Sequence, residues 1–138
     1  MRTSTSDAAK LRALIDAEAQ RAGFDAVAVT SPDAIPLAPA RLAEFVADGF
    51  HGSMDWIAET LQRRSEPMAL WPQVRSIIVL AMNYGPDHDP RGLLAKRDSG
   101  AISVYAQNRD YHDVMKGRLK EIAGKIVARA GGDVKVFV

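Results

Sequence analysis

The chain has 138 residues, 47% of them hydrophobic and 25% charged, enough for one domain with a real core. Its 18 basic and 17 acidic side chains leave a net charge of +1, so no global field demands nucleic acid or an anionic membrane as partner. The absence of cysteine excludes a disulfide, a Cys-ligated zinc and a conventional iron–sulfur cluster built from these residues. The three histidines, His51, His88 and His112, are too far apart in sequence to suggest a multi-His metal site. No apolar run approaches the roughly 20 residues of a membrane span, and the first residues lack the apolar stretch of a secretory signal. The chain therefore reads as a cytoplasmic protein with no membrane partner.

Residues 7–22 read as a first helix, capped by Ser6 or Asp7, with Leu11, Leu14, Ile15, Ala19 and Ala22 at helical spacing. Gly23 supplies its stop. Residues 24–30 are short and apolar, the pattern of a strand, and residues 31–36 form a turn-rich connection. A second helix is expected over 39–48, with Leu42, Phe45 and Val46 on one face and Gly49 after its end. Residues 50–74 are irregular; Pro67 and Pro72 limit this stretch to short helical turns, and Gly52 suggests a tight turn. Residues 75–83, centred on Ile77–Met82, are the best strand, and their continuous apolar character predicts burial on both faces. A Gly-, Pro- and Asp-rich loop follows over 84–100. A short strand at 102–105, a long helix over 110–130 and a last strand at 134–138 complete the pattern. Tyr111, Met115, Leu119, Ile122 and Ile126 form the apolar stripe of that helix. The alternation argues for a mixed α/β sandwich, a central mixed sheet flanked by helices. The chain stops inside its last strand, which reads as a truncation.

The densest chemistry lies at residues 102–113, where two tyrosines, an arginine, two aspartates and a histidine crowd a strand-to-helix junction. Such junctions often face ligands, because helix N-termini present unpaired N–H groups. Two readings are open. Asp110 can simply cap the helix, Asp113 can favour the helix dipole and Tyr111 can be core. Alternatively Arg109, Asp110 and His112 converge on a ligand, with His112 in the first turn where the dipole disfavours its charged form, leaving a neutral donor or acceptor. Arg63 and Arg64 are either a solvated pair or guanidinium forks for phosphate or amide carbonyls. Met54 and Trp56 either anchor their loop or wall a flat ligand. His51 and His88 read as exposed polar residues. Asn83 and Tyr84 follow the best strand at its C-terminal end, where ligands often bind, although Asn83 is equally a turn former. There is no Gly-x-Gly-x-x-Gly, no Walker loop, no recognisable Ser/His/Asp set and no Asp-x-His-x-x-Gly pattern of a base-off corrinoid domain.

Five segments, in order, resemble the N-terminal domain of epoxyqueuosine reductases. They are the Gly23-Phe-Asp-Ala-Val stretch, His51-Gly-Ser-Met-Asp-Trp56, Arg63-Arg-Ser-Glu-Pro67, Ser76-Ile-Ile-Val-Leu-Ala-Met-Asn-Tyr84, and Ile102-Ser-Val-Tyr-Ala-Gln-Asn-Arg-Asp-Tyr-His112. Together they cover nearly the whole chain. The resemblance implies a cobalamin-dependent iron–sulfur enzyme that reduces the epoxide of epoxyqueuosine at the tRNA wobble position. Two [4Fe–4S] clusters would feed electrons to cobalamin, and reduced cobalt would act on the substrate. It implies a nitroreductase-like or reductive-dehalogenase-like cobalamin-binding domain over 1–138, with the ferredoxin-like cluster domain absent from the chain. It places Arg63, Ser103, Tyr105, Asp110, Tyr111 and His112 at the corrinoid, with no protein histidine on cobalt. The family's proton-donor aspartate would follow the strand at 134–138, so this chain alone is expected to be inactive. Two departures stand out: Val104 where the family commonly has arginine, and Asn108 where it commonly has glycine. A stand-alone corrinoid- or flavin-binding module, or a related cobalamin-dependent reductase with another substrate, are the alternatives.

Overall fold

A computed structural model describes residues 5–138, with side chains from residue 7 onward. In chain order the elements are α1 (Thr5–Arg21), β1 (Ala26–Thr30), α2 (Ala38–Ala47), α3 (Asp55–Glu59), α4 (Leu61–Ser65), α5 (Pro67–Leu70), β2 (Ile77–Ala81) and α6 (Tyr111–Ala130). Two 3₁₀ turns, Pro90–Ala95 and Val104–Ala106, interrupt the long connection between β2 and α6. The chain divides into two compact units. One joins the segment up to Val27 with Leu80–Val138, and the other is Ala28–Val79.

In the first unit α1 packs on α6, because each carries one apolar stripe and neither can bury it alone. Ile15, Ala19 and Phe24 are buried from one side, Ile122 and Ile126 from the other. A charged residue joins them: Glu18 is 6% exposed yet fully paired. Its carboxylate accepts from Lys125 Nζ and from Arg21 Nη2, both at 2.6 Å, and Lys125 also lies 3.2 Å from Glu121. The Lys125 hydrogen bond chiefly, opposed by burial and aided by Arg21, holds the Glu18 carboxyl below the usual range.

The end of α1 explains its stop. Gly23 N–H donates to Gln20 O and Phe24 N–H to Ala19 O, the double bond of a Schellman motif. Gly23 has φ +79°, and a Cβ there would lie 3.0 Å from Arg118 Nη1 of α6. Ser6 and Asp7, the expected caps, lie within α1 as described from Thr5 onward.

Asp25 N–H donates to Ala81 O, which sets the start of β1 beside the end of β2 and makes the pair antiparallel. These two strands are the only sheet among the described residues. The architecture is thus mixed α/β, as expected, but the central multi-stranded sheet is reduced to a pair. Three expectations fail for one physical reason, the lack of partner strands. Val79 is 51% exposed, so β2 is not buried on both faces. Residues 102–105 are not a strand: their backbone bonds locally, Ala106 N–H to Ser103 O and Gln107 N–H to Val104 O. Residues 134–138 carry no regular structure, with Val134, Phe137 and Val138 exposed.

In the second unit α2 matches its expected span within a residue and ends on the same stop. Gly49 N–H donates to Val46 O and Phe50 N–H to Phe45 O, and the Phe45 and Phe50 rings meet at 5.8 Å. The expected short turns of 50–74 are α3, α4 and α5, each beginning or ending where a loop residue or Pro67 interrupts the helical bonds. No described residue of this unit is buried.

Candidate functional site

The junction before α6 is built by its own backbone. Gln107 Nε2 donates to Ile102 O at 2.9 Å, closing the 3₁₀ turn that carries Tyr105. Ser103 and Tyr105 are exposed on this turn. Asp110 then caps α6: its Oδ1 accepts the backbone N–H of His112 at 2.8 Å. The same oxygen lies 2.8 Å from the His112 ring nitrogen Nδ1. The Tyr111 ring stacks on the imidazole, with centroids 4.1 Å apart and planes 27° off parallel. The backbone bond from His112, then its ring, hold the Asp110 carboxyl below its ordinary value.

The capping reading of this junction holds in part. Asp110 is the cap, but Tyr111 is not core; it is 46% exposed and lies against His112. The lower half of the expected stripe, Ile122 and Ile126, is buried, while its N-terminal end is open. Arg109 is exposed and shares none of these contacts. Asp110, Tyr111 and His112 form one contiguous cluster; Ser103 and Tyr105 sit on the preceding turn.

Asn83 proves to be a turn former, its Oδ1 accepting from Gly85 N–H at 2.9 Å. Its own N–H donates to Asp25 Oδ2 at 2.6 Å. Asp25 thereby pins the backbone just after β2, and the following Tyr84 is 70% exposed. Sequence reasoning missed Asp25, because its partner lies 58 residues away and only strand register brings the two together. His88 is an exposed loop residue, as expected.

In the second unit the two arginines separate. Arg64 lies 4.4 Å over the Trp56 ring, and its Nε donates to Thr60 Oγ1 at 2.7 Å. Arg63, exposed at the end of α4, makes no such contact and keeps its donor fork available. Trp56 and Met54 are half-exposed and do not anchor a core. His51 corrects an expectation: it is partly buried, and its Nδ1 is the buried side-chain atom left without a hydrogen-bond partner among the described residues. Gly52 takes φ +56° in the expected tight turn.

No group of three His, Cys, Asp or Glu side chains able to hold a metal ion occurs among the described residues. No helix of the described chain is long and apolar enough to cross a membrane. The donors and acceptors at the α6 junction suit a ligand with amide, hydroxyl or phosphate groups.

The family model described as epoxyqueuosine reductase QueG, DUF1730, matches residues 64–138, a span that contains the whole α6 junction and begins one residue after Arg63. An epoxyqueuosine reductase of Alicycliphilus denitrificans is 33% identical over 120 residues, covering 82% of this chain and 33% of the relative. One from Xanthomonas campestris is 32% identical over 137 residues, 97% of this chain and 37% of the relative. One from Pseudomonas aeruginosa is 33% identical over 129 residues, 93% and 36% respectively. The chain thus spans about a third of the length of the curated relatives it matches. No solved structure gives a significant match. With the family model covering more than half of its residues, the chain belongs to the epoxyqueuosine reductase QueG family.

Proposed function

We propose that this chain is the cobalamin-binding N-terminal part of an enzyme that reduces epoxyqueuosine in tRNA to queuosine. The observation that carries the reading is the family match over 64–138, which takes in every candidate site residue except Arg63. The site's chemistry supports it. Cobalamin brings its own coordinated metal, so a domain that holds it needs no cluster of metal ligands. Its amide side chains and nucleotide phosphate suit hydroxyls, an imidazole and a guanidinium fork. Ser103, Tyr105, Asp110, Tyr111 and His112 would meet the corrin periphery, and Arg63 a phosphate or amide carbonyl. When bound, cobalamin would supply a reducible cobalt centre. What the chain's own residues contribute is orientation: the cap at Asp110 and the turn at 104–106 hold their polar groups at the start of a helix whose far half is anchored in the core.

The [4Fe–4S] clusters are a different matter. With no cysteine, these residues do not fit a cluster. In this proposal the ligands, and the family's proton-donor aspartate, belong to the remainder of the complete enzyme, and residues 1–138 alone are inactive. The nitroreductase-like or reductive-dehalogenase-like domain type, the tRNA partner, the monomeric state and the cytoplasmic location belong to the same proposal.

Titration of the complete enzyme with hydroxocobalamin should shift the corrin absorption bands, and Arg63→Ala should weaken binding. Failure of the complete enzyme to bind any corrinoid overturns the reading. Activity on epoxyqueuosine tRNA by residues 1–138 alone would remove the assignment of the chemistry to the remainder.

A further inference from the structure

We propose that Asp110 is a positioning residue that locks His112 as its Nδ1–H tautomer, so that Nε2 is a fixed hydrogen-bond acceptor for a ligand N–H or O–H. The inference rests on the ligand-facing reading of His112 given above and deepens it, by specifying the chemistry the ligand must present there.

The geometry fixes the direction of the bond. Oδ1 of Asp110 already accepts the backbone N–H of His112 at 2.8 Å, which holds that oxygen in place as an acceptor. The ring Nδ1 meets the same oxygen at 2.8 Å. An ionised carboxylate has no proton to give, so the hydrogen between them sits on Nδ1. In the neutral ring Nε2 is then an acceptor only. The Tyr111 ring, stacked at 4.1 Å, limits rotation of the imidazole out of this plane. Cap and ring contact are thus one device: the oxygen that starts α6 also sets the tautomer of its second residue.

The arrangement selects among ligand groups. A primary amide or a hydroxyl can donate to Nε2, whereas an ionised carboxylate or fully ionised phosphate oxygen cannot. His112 is half-exposed on its side chain, so a ligand can reach it without moving the cap. Among the amides and phosphate of a corrinoid, His112 would therefore take an amide and leave the phosphate to a guanidinium.

Two variants separate positioning from folding. Asp110→Ser keeps an N-cap oxygen for the His112 backbone N–H but lacks the reach for the ring. Asp110→Asn keeps the cap oxygen and its reach, because the cap requires the carboxamide oxygen to face the same way. Nitrogen-15 NMR of the 138-residue chain, at a pH where His112 is neutral, should show the Nδ1–H tautomer in the native chain and in Asp110→Asn. Asp110→Ser should revert towards the Nε2–H form that free imidazole side chains prefer. A native chain in the Nε2–H form, or Asp110→Ser with an unchanged tautomer and an intact α6, overturns the proposal.

Hydroxocobalamin titration of the complete enzyme then tests the ligand. Asp110→Ser and His112→Ala should each weaken binding about three- to tenfold, the loss of one ordinary hydrogen bond. The expected tautomer with undiminished affinity in both variants overturns the acceptor role of Nε2 and leaves the broader cobalamin reading standing. No corrinoid binding by the native enzyme overturns that broader reading, whatever the tautomer.

Discussion

The two units of this chain use the same helix stop and obtain different structures from it. Gly23 and Gly49 both take a left-handed conformation, at φ +79° and +72°, and both close Schellman bonds. After Gly23 comes Phe24, which is buried; after Gly49 comes Phe50, which is 67% exposed and meets the Phe45 ring of the helix it ends. The difference lies in what waits on the other side. The α1 stripe meets α6, and the pair encloses Ile15, Ala19, Phe24, Ile122 and Ile126. In the second unit no described residue reaches the buried class. A local signal decides where a helix ends; burial depends on whether a second apolar face comes to meet it.

Side-chain truncation should widen this contrast most. Ile122→Ala is expected to cost about 2–5 kcal/mol in chemical denaturation, the usual range for a buried aliphatic residue. Leu42→Ala in α2, only partly buried, should cost well under half as much. Equal losses would break the contrast between a cored and a coreless unit.

The glycines offer a narrower comparison. Gly23→Ala combines left-handed strain with a Cβ set 3.0 Å from Arg118 Nη1, while a Cβ at Gly49 meets nothing within 4 Å. Gly49→Ala should therefore cost only the conformational penalty, roughly 1–2 kcal/mol, and Gly23→Ala should exceed it. Thermal melts of the two variants give the order.

Acid should weaken the ion network of the first unit. The Glu18 carboxyl is held below its ordinary value, chiefly by Lys125, and Asp110 likewise, chiefly by the His112 backbone N–H. Groups with depressed values stabilise the fold above their unfolded range, around pH 4, and lose that contribution as pH falls through the folded value. Lys125, raised chiefly by Glu18, loses its share as pH rises through its own folded value. Denaturation midpoints should fall on acidification below about pH 5, and Glu18→Gln should flatten that fall. A variant as acid-sensitive as the native chain would show the ion network to be neutral in effect.

The smallest effect is expected at Arg64. Arg64→Ala removes a guanidinium 4.4 Å from the Trp56 ring and should change tryptophan emission while altering stability by less than about 1 kcal/mol.

Local chemistry was legible in the sequence and distant pairing was not. The helices at 38–47 and 111–130, the stops at Gly23 and Gly49, the cap at Asp110 and the short turns of 50–74 follow from propensity, proline and glycine acting within a few residues. The apolar runs at 102–105 and 134–138 carry the composition of strands and fail as strands, because a strand exists only beside another. The same limit hid Asp25, whose role at Asn83 depends on register across 58 residues. At the candidate site the residue types were foreseen, but not that one oxygen of Asp110 serves both cap and ring, nor that Trp56 takes Arg64 and leaves Arg63 open.

The bond between Glu18 and Lys125 spans 107 residues, and that distance has a meaning in time. A ribosome adding about 5–20 residues per second makes α1 and then needs roughly 5–20 s more to deliver the face that covers it. Throughout that interval the nascent helix exposes Ile15 and Ala19 to water and holds Glu18 without its lysine. Residues 28–79 complete synthesis meanwhile, with no need of α6 for their own contacts. Of these two units, the one with buried residues is thus the one completed later.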